Sequence, residues 1–525
     1  MGIYLNPGNV NFTKMLRTGR YVDKTMMISV IDRLVDTEEQ YVCMSRPRRF
    51  GKTVAGNMLC AYYSKGCDSR ELFQPYKIAR EYGGFEERLN KYNVIKIDMN
   101  SEYQNTTDRS RLMTRLTKEI KKEMKKQFPD VDIEDEDSLA QDILRVYEEK
   151  GETFILIIDE YDVLVRERAG EELFAEYLSF LNGLFKSDPL KNAISLAYVT
   201  GILPVVRDKI QSKLNNFDEY TILDAGPFAE FVGFTGDEVK KLCEKYGMDF
   251  EECRRWYDGY AQQGLEIYNP ESVIKSMVKG AYGNYWGKTS SYEAITDRIR
   301  MNFDGTRDDV IRMLSGERVR VDVDMYLNTM GDFKSKDEVF SYLTHLGYLA
   351  YTEEDRTCWV PNKEVRAEWF RAISTIDDYS ATDKIIKSSE TLLRETLEGN
   401  EEAVARALDE SHINVTSNRS YNNEDALQSA IYLSYIYALN KYTVVKEMTA
   451  GKGFSDVTFI PFVPDIPAMI IELKRNGSAA SAMDQIRKKE YFRSLEKYSG
   501  NLLFVGIDYD AESKRHSCRI QRFVK

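Results

Sequence analysis

Two stretches of this sequence hold residues whose types and spacing could do phosphate chemistry. The first is Ser45 to Thr53, Ser-Arg-Pro-Arg-Arg-Phe-Gly-Lys-Thr. Here Arg49, Phe50 and Gly51 lead into a helical pattern, where backbone N–H groups and the Lys52 ammonium can converge on phosphates while the Thr53 hydroxyl takes a magnesium ion. Arg46 stands where such loops carry their first glycine. The loop therefore either bends without a residue of positive φ at that point or takes a different turn through Pro47. Further on, the apolar run Phe154 to Ile158 ends in Asp159-Glu160, which can present one carboxylate to Mg²⁺ and a second to orient or deprotonate an attacking water. Thr200 closes the next apolar run, where a polar side chain can sense a γ-phosphate.

The second stretch is "GFSDVTFIPFVPDIPAMIIELKRNG" near the C-terminus, two strands around a Pro-Asp-Ile-Pro turn. Glu472 and Lys474 are two apart and so share a strand face, and Asp456 lies on the strand before. An Asp beside a Glu makes a hard oxygen site suited to Mg²⁺ or Mn²⁺, and a neighbouring lysine can orient a hydrolytic water or stabilise charge developing on a phosphate. A run rich in Lys and Arg follows, with Arg487, Lys488 and Lys489 at its centre. Such cations could contact a phosphodiester backbone, and Tyr491 and Phe492 could stack on bases.

The elements that must position these residues read as α/β. A short apolar segment from Tyr41 precedes the phosphate loop, and a helical pattern from Val54 follows it. "YNVIKIDMN", "TFILIIDEYD" and "AISLAYVTGIL" are bulky runs of the kind that helices cover on both faces of a parallel sheet. The spacing predicts an α/β parallel sheet over 1–230, then a helical lid over 231–395 with a winged-helix-like unit near residues 337–365. A third, α/β domain over 396–525 carries the Asp456–Glu472–Lys474 set. A chain of 525 residues is long enough for roughly three such domains of about 100–200 residues.

Composition narrows the chemistry. Three histidines and seven scattered cysteines without a CxxC pair argue against a His-rich metal site, a histidine-based triad or a disulfide framework. Catalysis must lean on carboxylates, lysine and arginine. A net charge of -12 argues against a protein coated in nucleic acid but leaves room for a local basic patch. The apolar stretches fall well short of the roughly 20 residues of a membrane helix, and no secretory signal opens the chain, so a cytoplasmic, membrane-free protein is expected. Its oligomeric state is not readable.

"YVDKT", "SRPRRFGKT", "LIIDEYD", "TGIL" with "LNNF", "GFTGDEV", "WYDGY" and "YNPESV" resemble, in order over about residues 1–290, the motifs of the bacterial AAA-ATPase-like family. That resemblance implies ATP as ligand and makes Arg46 a family trait. Arg207, Arg254 and Arg255 could approach a γ-phosphate. Residues from about 415 to 510 resemble the PD-(D/E)xK nuclease superfamily, with Ser455 in place of the proline of its name. The resemblance implies Asp456 and Glu472 as metal ligands, Lys474 as the catalytic lysine, Gln485 as the glutamine of the following helix and Glu424 as a supporting acid. Together these imply an ATP-binding and hydrolysing protein coupled to a Mg²⁺- or Mn²⁺-dependent nuclease acting on DNA or RNA. The alternatives are a nucleotide-dependent switch or scaffold whose inactive nuclease fold binds nucleic acid, and an ATPase with a structural C-terminal domain.

Overall fold

The computed structural model describes residues 2–523 except 168, 205–215, 288–292, 302, 304, 315, 324–332, 375–379, 416–423, 451–452, 462–465 and 489–500. Within helices and strands, the side chains of 374, 380–385, 412–415, 424–426, 429, 433, 440, 443, 446–450 and 453–455 also lie outside that description. The chain divides into two compact units.

The first unit takes in Met1–Ser290 and Arg318–Val365. Its main sheet has strands β1 (Tyr41–Ser45), β2 (Asn93–Asp98), β3 (Phe154–Asp159), β4 (Ile194–Gly201) and β5 (Asp218–Tyr220), in the order β2-β3-β4-β1-β5. Every neighbouring pair is parallel. The near-continuous apolar runs follow from burial on both faces. Phe154, Leu156 and Ile158 of β3 enter one core with Tyr41 and Cys43, while Ile155 and Ile157 enter a second with Val42, Met44 and the helix Lys52–Tyr63. Residues alternate between the two cores, so no position can be polar until the strand ends. Because the strands are parallel, those ends gather on one edge of the sheet, where open α/β sheets bind ligands.

After this sheet come β6 (Phe234–Thr235), β7 (Tyr260–Gln262) and β8 (Leu265–Tyr268), a small antiparallel sheet in the order β6-β8-β7. The helix Pro270–Lys279 follows. The helix Lys336–Leu346 leads into a hairpin of β10 (Ala350–Thr352) and β11 (Thr357–Trp359), to which β9 (Val319–Arg320) adds a third strand. The helix and polar-turn hairpin were legible in the sequence; β9, two residues long, was too short to carry a period.

The second unit includes Arg366–Lys525. Its sheet runs β12 (Tyr442–Ala450), β13 (Gly453–Pro461), β14 (Ala468–Arg475), β15 (Leu502–Asp510), β16 (Arg515–Phe523) in chain order. Only β14 and β15 are parallel, and the helix Ala479–Lys488 makes their crossover. β12 and β16 extend the sheet beyond the strands that the sequence pattern marked out. One face packs on the helices Ser380–Glu398, Glu401–Val415 and Glu424–Ser434 through Met469, Ile471 and Leu473. The other face holds a smaller core of Ala468, Ile470, Leu502 and Phe504 under Met483 and Ile486 of the crossover helix.

Candidate active sites

The turn after β1 is held from several sides. Arg46 donates its backbone N–H to Gly201 O at 3.0 Å. Its guanidinium is fully buried, with Nη1 donating to Ser45 O at 2.9 Å and to Tyr220 O at 2.8 Å. Burial pulls this arginine down to about 10. Positive φ falls not on Arg46 but on Arg49 (71°) and Gly51 (93°), so the loop bends without a residue of positive φ at the first-glycine position. Gly51 caps the Lys52–Tyr63 helix in the left-handed conformation that glycine adopts freely.

Lys52 Nζ donates to the carbonyls of Arg46 and Pro47 at 2.8 and 2.9 Å. Burial lowers its pKa to about 8, against the opposing pull of Glu160 and Asp159. Thr53 is exposed on the first turn of the helix.

The register of β1, β4 and β3 sets Thr200 beside Met44, and Val199 beside Ile158. Thr200 Oγ1 consequently hydrogen-bonds Asp159 Oδ1. Glu160 has a left-handed φ of 55° and turns its carboxylate onto Arg166 Nη2. Burial raises the Glu160 pKa, and Arg166 and Lys52 oppose that rise. Arg166 Nε also donates to Asp162 Oδ2 at 3.1 Å, and this carboxylate oxygen accepts the backbone N–H groups of Ile202 and Leu203 at 3.0 and 2.9 Å. Asp162 and Arg166 escaped the sequence reading. Their signal was present, four residues apart after the apolar strand, but an Asp–Arg pair at that spacing reads as a solvated helix turn.

A cavity of about 540 Å³ opens against Arg49–Thr53 and Glu160, with Tyr21, Val22 and Phe231 on its wall. That volume suits a nucleotide-sized ligand. Arg254 is engaged with Asp258 and Glu266, and Arg255 with Glu252; Arg207 lies outside the described residues.

In the second unit, β14 changes character along one face. Ala468 and Ile470 sit under the crossover helix, and the next two residues of that face are Glu472 and Lys474. Glu472 is 1% exposed. It accepts from Gln485 Nε2 of the crossover helix and lies 3.9 Å from Lys474 Nζ. The β13–β14 register runs as far as Val457 beside Ile471, and Asp456 is the next residue of β13. Asp456 Oδ2 accepts the Leu473 N–H at 2.7 Å, and its own carbonyl accepts from Gln428 Nε2 at 2.7 Å.

The helix that brings Gln485 is seated on Gly506, where a Cβ would stand 2.6 Å from Ala479 O. Gln428 and Gly506 were not singled out from sequence, because each acts through a contact made across the fold. Glu424 opens its helix, but its side chain lies outside the described residues, as do Lys489, Tyr491 and Phe492. Among the described residues no group of three or more His, Cys, Asp or Glu is arranged to hold a metal ion. A buried glutamate with an aspartate on the adjacent strand, bonded to the N–H of the next residue, Leu473, still offers hard oxygen donors of the kind that Mg²⁺ or Mn²⁺ takes.

Residues 7–211 match the family model of predicted AAA-ATPases, and residues 422–517 match that of the PD-(D/E)XK nuclease superfamily. The chain joins an AAA-ATPase-like domain to a PD-(D/E)XK nuclease-superfamily domain. Among curated proteins, an uncharacterized protein in the vnfD 5′ region of Azotobacter chroococcum mcd 1 is 22% identical over 284 residues, 53% of this chain. The match spans 52% of that relative's own length. Among solved structures, Cdc6p of Pyrobaculum aerophilum is 13% identical, with 66% of this chain and 92% of that one covered and a TM-score of 0.25. The ORC2 protein of Aeropyrum pernix, in ADPNP–ADP complexes, is 11% identical over 66% and 91%, with a TM-score of 0.30. Among the described residues no helix is long and apolar enough to cross a membrane.

Proposed function

We propose that the AAA-ATPase-like domain binds and hydrolyses ATP and that the C-terminal domain is a metal-dependent nuclease acting on DNA or RNA, with cleavage governed by the nucleotide. The observation that carries this reading is the row on β14, where an apolar face gives way to a buried Glu472, held by Gln485, and to Lys474 with its Nζ 3.9 Å away. A structural strand end has no need to bury a carboxylate, because burial without compensation is costly.

In the first site Lys52 exchanges the Arg46 and Pro47 carbonyls for phosphate oxygens, and Thr53 and Asp159 hold magnesium, with Thr200 fixing the Asp159 rotamer. Arg49, Phe50 and Gly51 shape the loop around the phosphates. Glu160 accepts the proton of the attacking water, and Arg166 orients it.

In the second site Asp456 and Glu472 hold the divalent ion, with Glu424 as a supporting acid, and Gln485 keeps Glu472 in place. The ion, when bound, supplies Lewis-acid polarisation of a phosphodiester. Lys474 orients the water or stabilises charge developing on the phosphate. Arg487, which pairs with Gln521 and Asp484, and Lys488 are exposed on the crossover helix, where a nucleic-acid backbone could meet them.

Cleavage of labelled DNA and RNA with Mg²⁺ or Mn²⁺, with and without ATP, tests the reading. Cleavage that depends on the metal and changes with ATP is expected. The absence of cleavage across lengths and ends would leave the nucleic-acid-binding switch in its place.

A further inference from the structure

The phosphate loop is tied to the start of the helix Pro270–Lys279 through two consecutive loop residues, Arg48 and Arg49. Asn269, the N-cap, accepts the N–H groups of Glu271 and Ser272 with Oδ1 at 3.1 and 3.2 Å, while its Nδ2 reaches the Arg48 carbonyl at 3.3 Å. Glu271 then takes the next loop residue: its Oε1 accepts from Arg49 Nη1 at 2.9 Å. The same oxygen lies 2.6 Å from Lys275 Nζ. The Glu271–Lys275 pair alone is an ordinary i,i+4 helix contact. Arg49 is different, because it comes from another element, in a left-handed backbone conformation (φ 71°), just before Gly51-Lys52-Thr53.

All three side chains line the cavity that also exposes Lys52 and Glu160. Their side-chain exposures of 16% for Arg49, 38% for Glu271 and 37% for Lys275 leave the group open to an entering anion. Two cations on one carboxylate leave one positive charge in excess. A polyphosphate reaching this rim would be attracted by Arg49 and Lys275 and repelled by Glu271, so the carboxylate and the phosphate compete for the same two donors.

We infer that Glu271 is a specificity-determining residue of the nucleotide site, an internal competitor that Arg49 and Lys275 leave only for the terminal phosphate of a nucleoside triphosphate. A triphosphate carries enough charge at the rim to displace the carboxylate; a diphosphate, one phosphate shorter, leaves the Glu271 pairs in place. Breaking the Glu271 pairs costs free energy that only the triphosphate incurs, so the carboxylate holds the preference for triphosphate below what the two cations alone would give. This inference rests on the proposed nucleotide site and adds Glu271 and Lys275 to it.

The test is titration calorimetry of ATP and ADP on the full chain, comparing wild type with Glu271→Gln, Lys275→Ala and Lys52→Ala, and a thermal melt for each. Gln keeps the shape and the acceptor oxygen of Glu271 while removing its charge. The expected result is ATP binding tightened roughly three- to tenfold in Glu271→Gln, with little change for ADP, so that the ATP-to-ADP preference widens. Lys275→Ala should weaken ATP more than ADP.

If Glu271 only pins the helix, Glu271→Gln will weaken both nucleotides equally and lower the melting temperature, and that result, or an unchanged ratio, overturns the inference. Lys52→Ala separates the two levels. ATP affinity lost in Lys52→Ala together with an unchanged ratio in Glu271→Gln removes this inference and leaves the nucleotide site standing. Wild-type ATP affinity in Lys52→Ala removes the site itself and the inference with it.

Discussion

Arg46 Nη1 donates to the Tyr220 carbonyl at 2.8 Å, which ties the residue in the first-glycine position of the phosphate loop to β5, the edge strand beside β1. The arginine is thus a buried strut under the loop and does not line the cavity beside Lys52. Arg46→Gly, which writes a more conventional phosphate-loop sequence, should therefore damage the protein. Loss of the bonds to Ser45 O and Tyr220 O leaves two carbonyls unsatisfied and a cavity, at a cost of about 3 kcal/mol. The expected outcome is a melting temperature lower by roughly 5–10 °C and no gain in ATP affinity.

Lys52 ties ATP binding to pH. Burial lowers its pKa to about 8 in the free protein, and phosphate oxygens favour its charged form in the complex. Binding above pH 8 must therefore take up a proton. The dissociation constant for ATP should be flat with respect to this group below pH 8 and rise toward tenfold per pH unit above it, as read by calorimetry in buffers of different ionisation enthalpy. Lys52→Ala should abolish binding while leaving the fold intact.

Glu160 and Asp159 should separate in role. Glu160→Gln should bind ATP as wild type does and hydrolyse it at least about 100-fold more slowly, in keeping with the usual contribution of a general base. Asp159→Asn should weaken the magnesium dependence of binding. Arg166→Gln removes the cation that opposes burial at Glu160, so the acidic limb of the ATPase pH profile should move to higher pH. A profile unchanged in position would show that Arg166 does not act through Glu160.

His345, buried near Arg46, has a pKa pushed down to about 3, first by burial and then by the guanidinium. The unfolded chain protonates it near 6.5 and the folded chain does not until about 3, so the unfolded state binds more protons between those values. This group's contribution to stability is complete above pH 6.5 and falls by about 1.4 kcal/mol per pH unit below it. Chemical denaturation at pH 8.0, 6.0 and 5.0 should show a steeper acid loss in wild type than in His345→Gln.

At the nuclease-like site, Asp456→Ala and Glu472→Ala should lose both a divalent ion and cleavage, whereas Lys474→Ala should keep the ion and lose cleavage. Gly506 is no ligand itself, although it stands beside Glu472 in the β14–β15 register. An alanine Cβ there would stand 2.6 Å from Ala479 O, so the crossover helix must lift, at about 1–3 kcal/mol, and Gln485 loses its grip on Glu472. Metal affinity by calorimetry should fall in Gly506→Ala although every ligand is present.

By itself the sequence determined the parts that depend on neighbours along the chain. Apolar runs long enough to be buried on both faces located β3 and β4; Gly51-Lys52-Thr53 marked a helix start; the two-residue spacing of Glu472 and Lys474 put them on one face of a strand. Those relations follow from local geometry, the periods of 2 and 3.6 and the freedom of glycine. Tertiary structure alone decided what Arg46 is for, because its partner Tyr220 lies on a strand that no local pattern assigns to the neighbouring position. It also decided that Thr200 meets Asp159 through the register of β3 and β4, that Glu271 reaches Arg49 across 222 residues, and that a bare Gly506 seats the helix bearing Gln485. Each of these is a contact between elements distant in sequence. Such contacts are set by packing and sheet order, and these leave no period in the chain to be read.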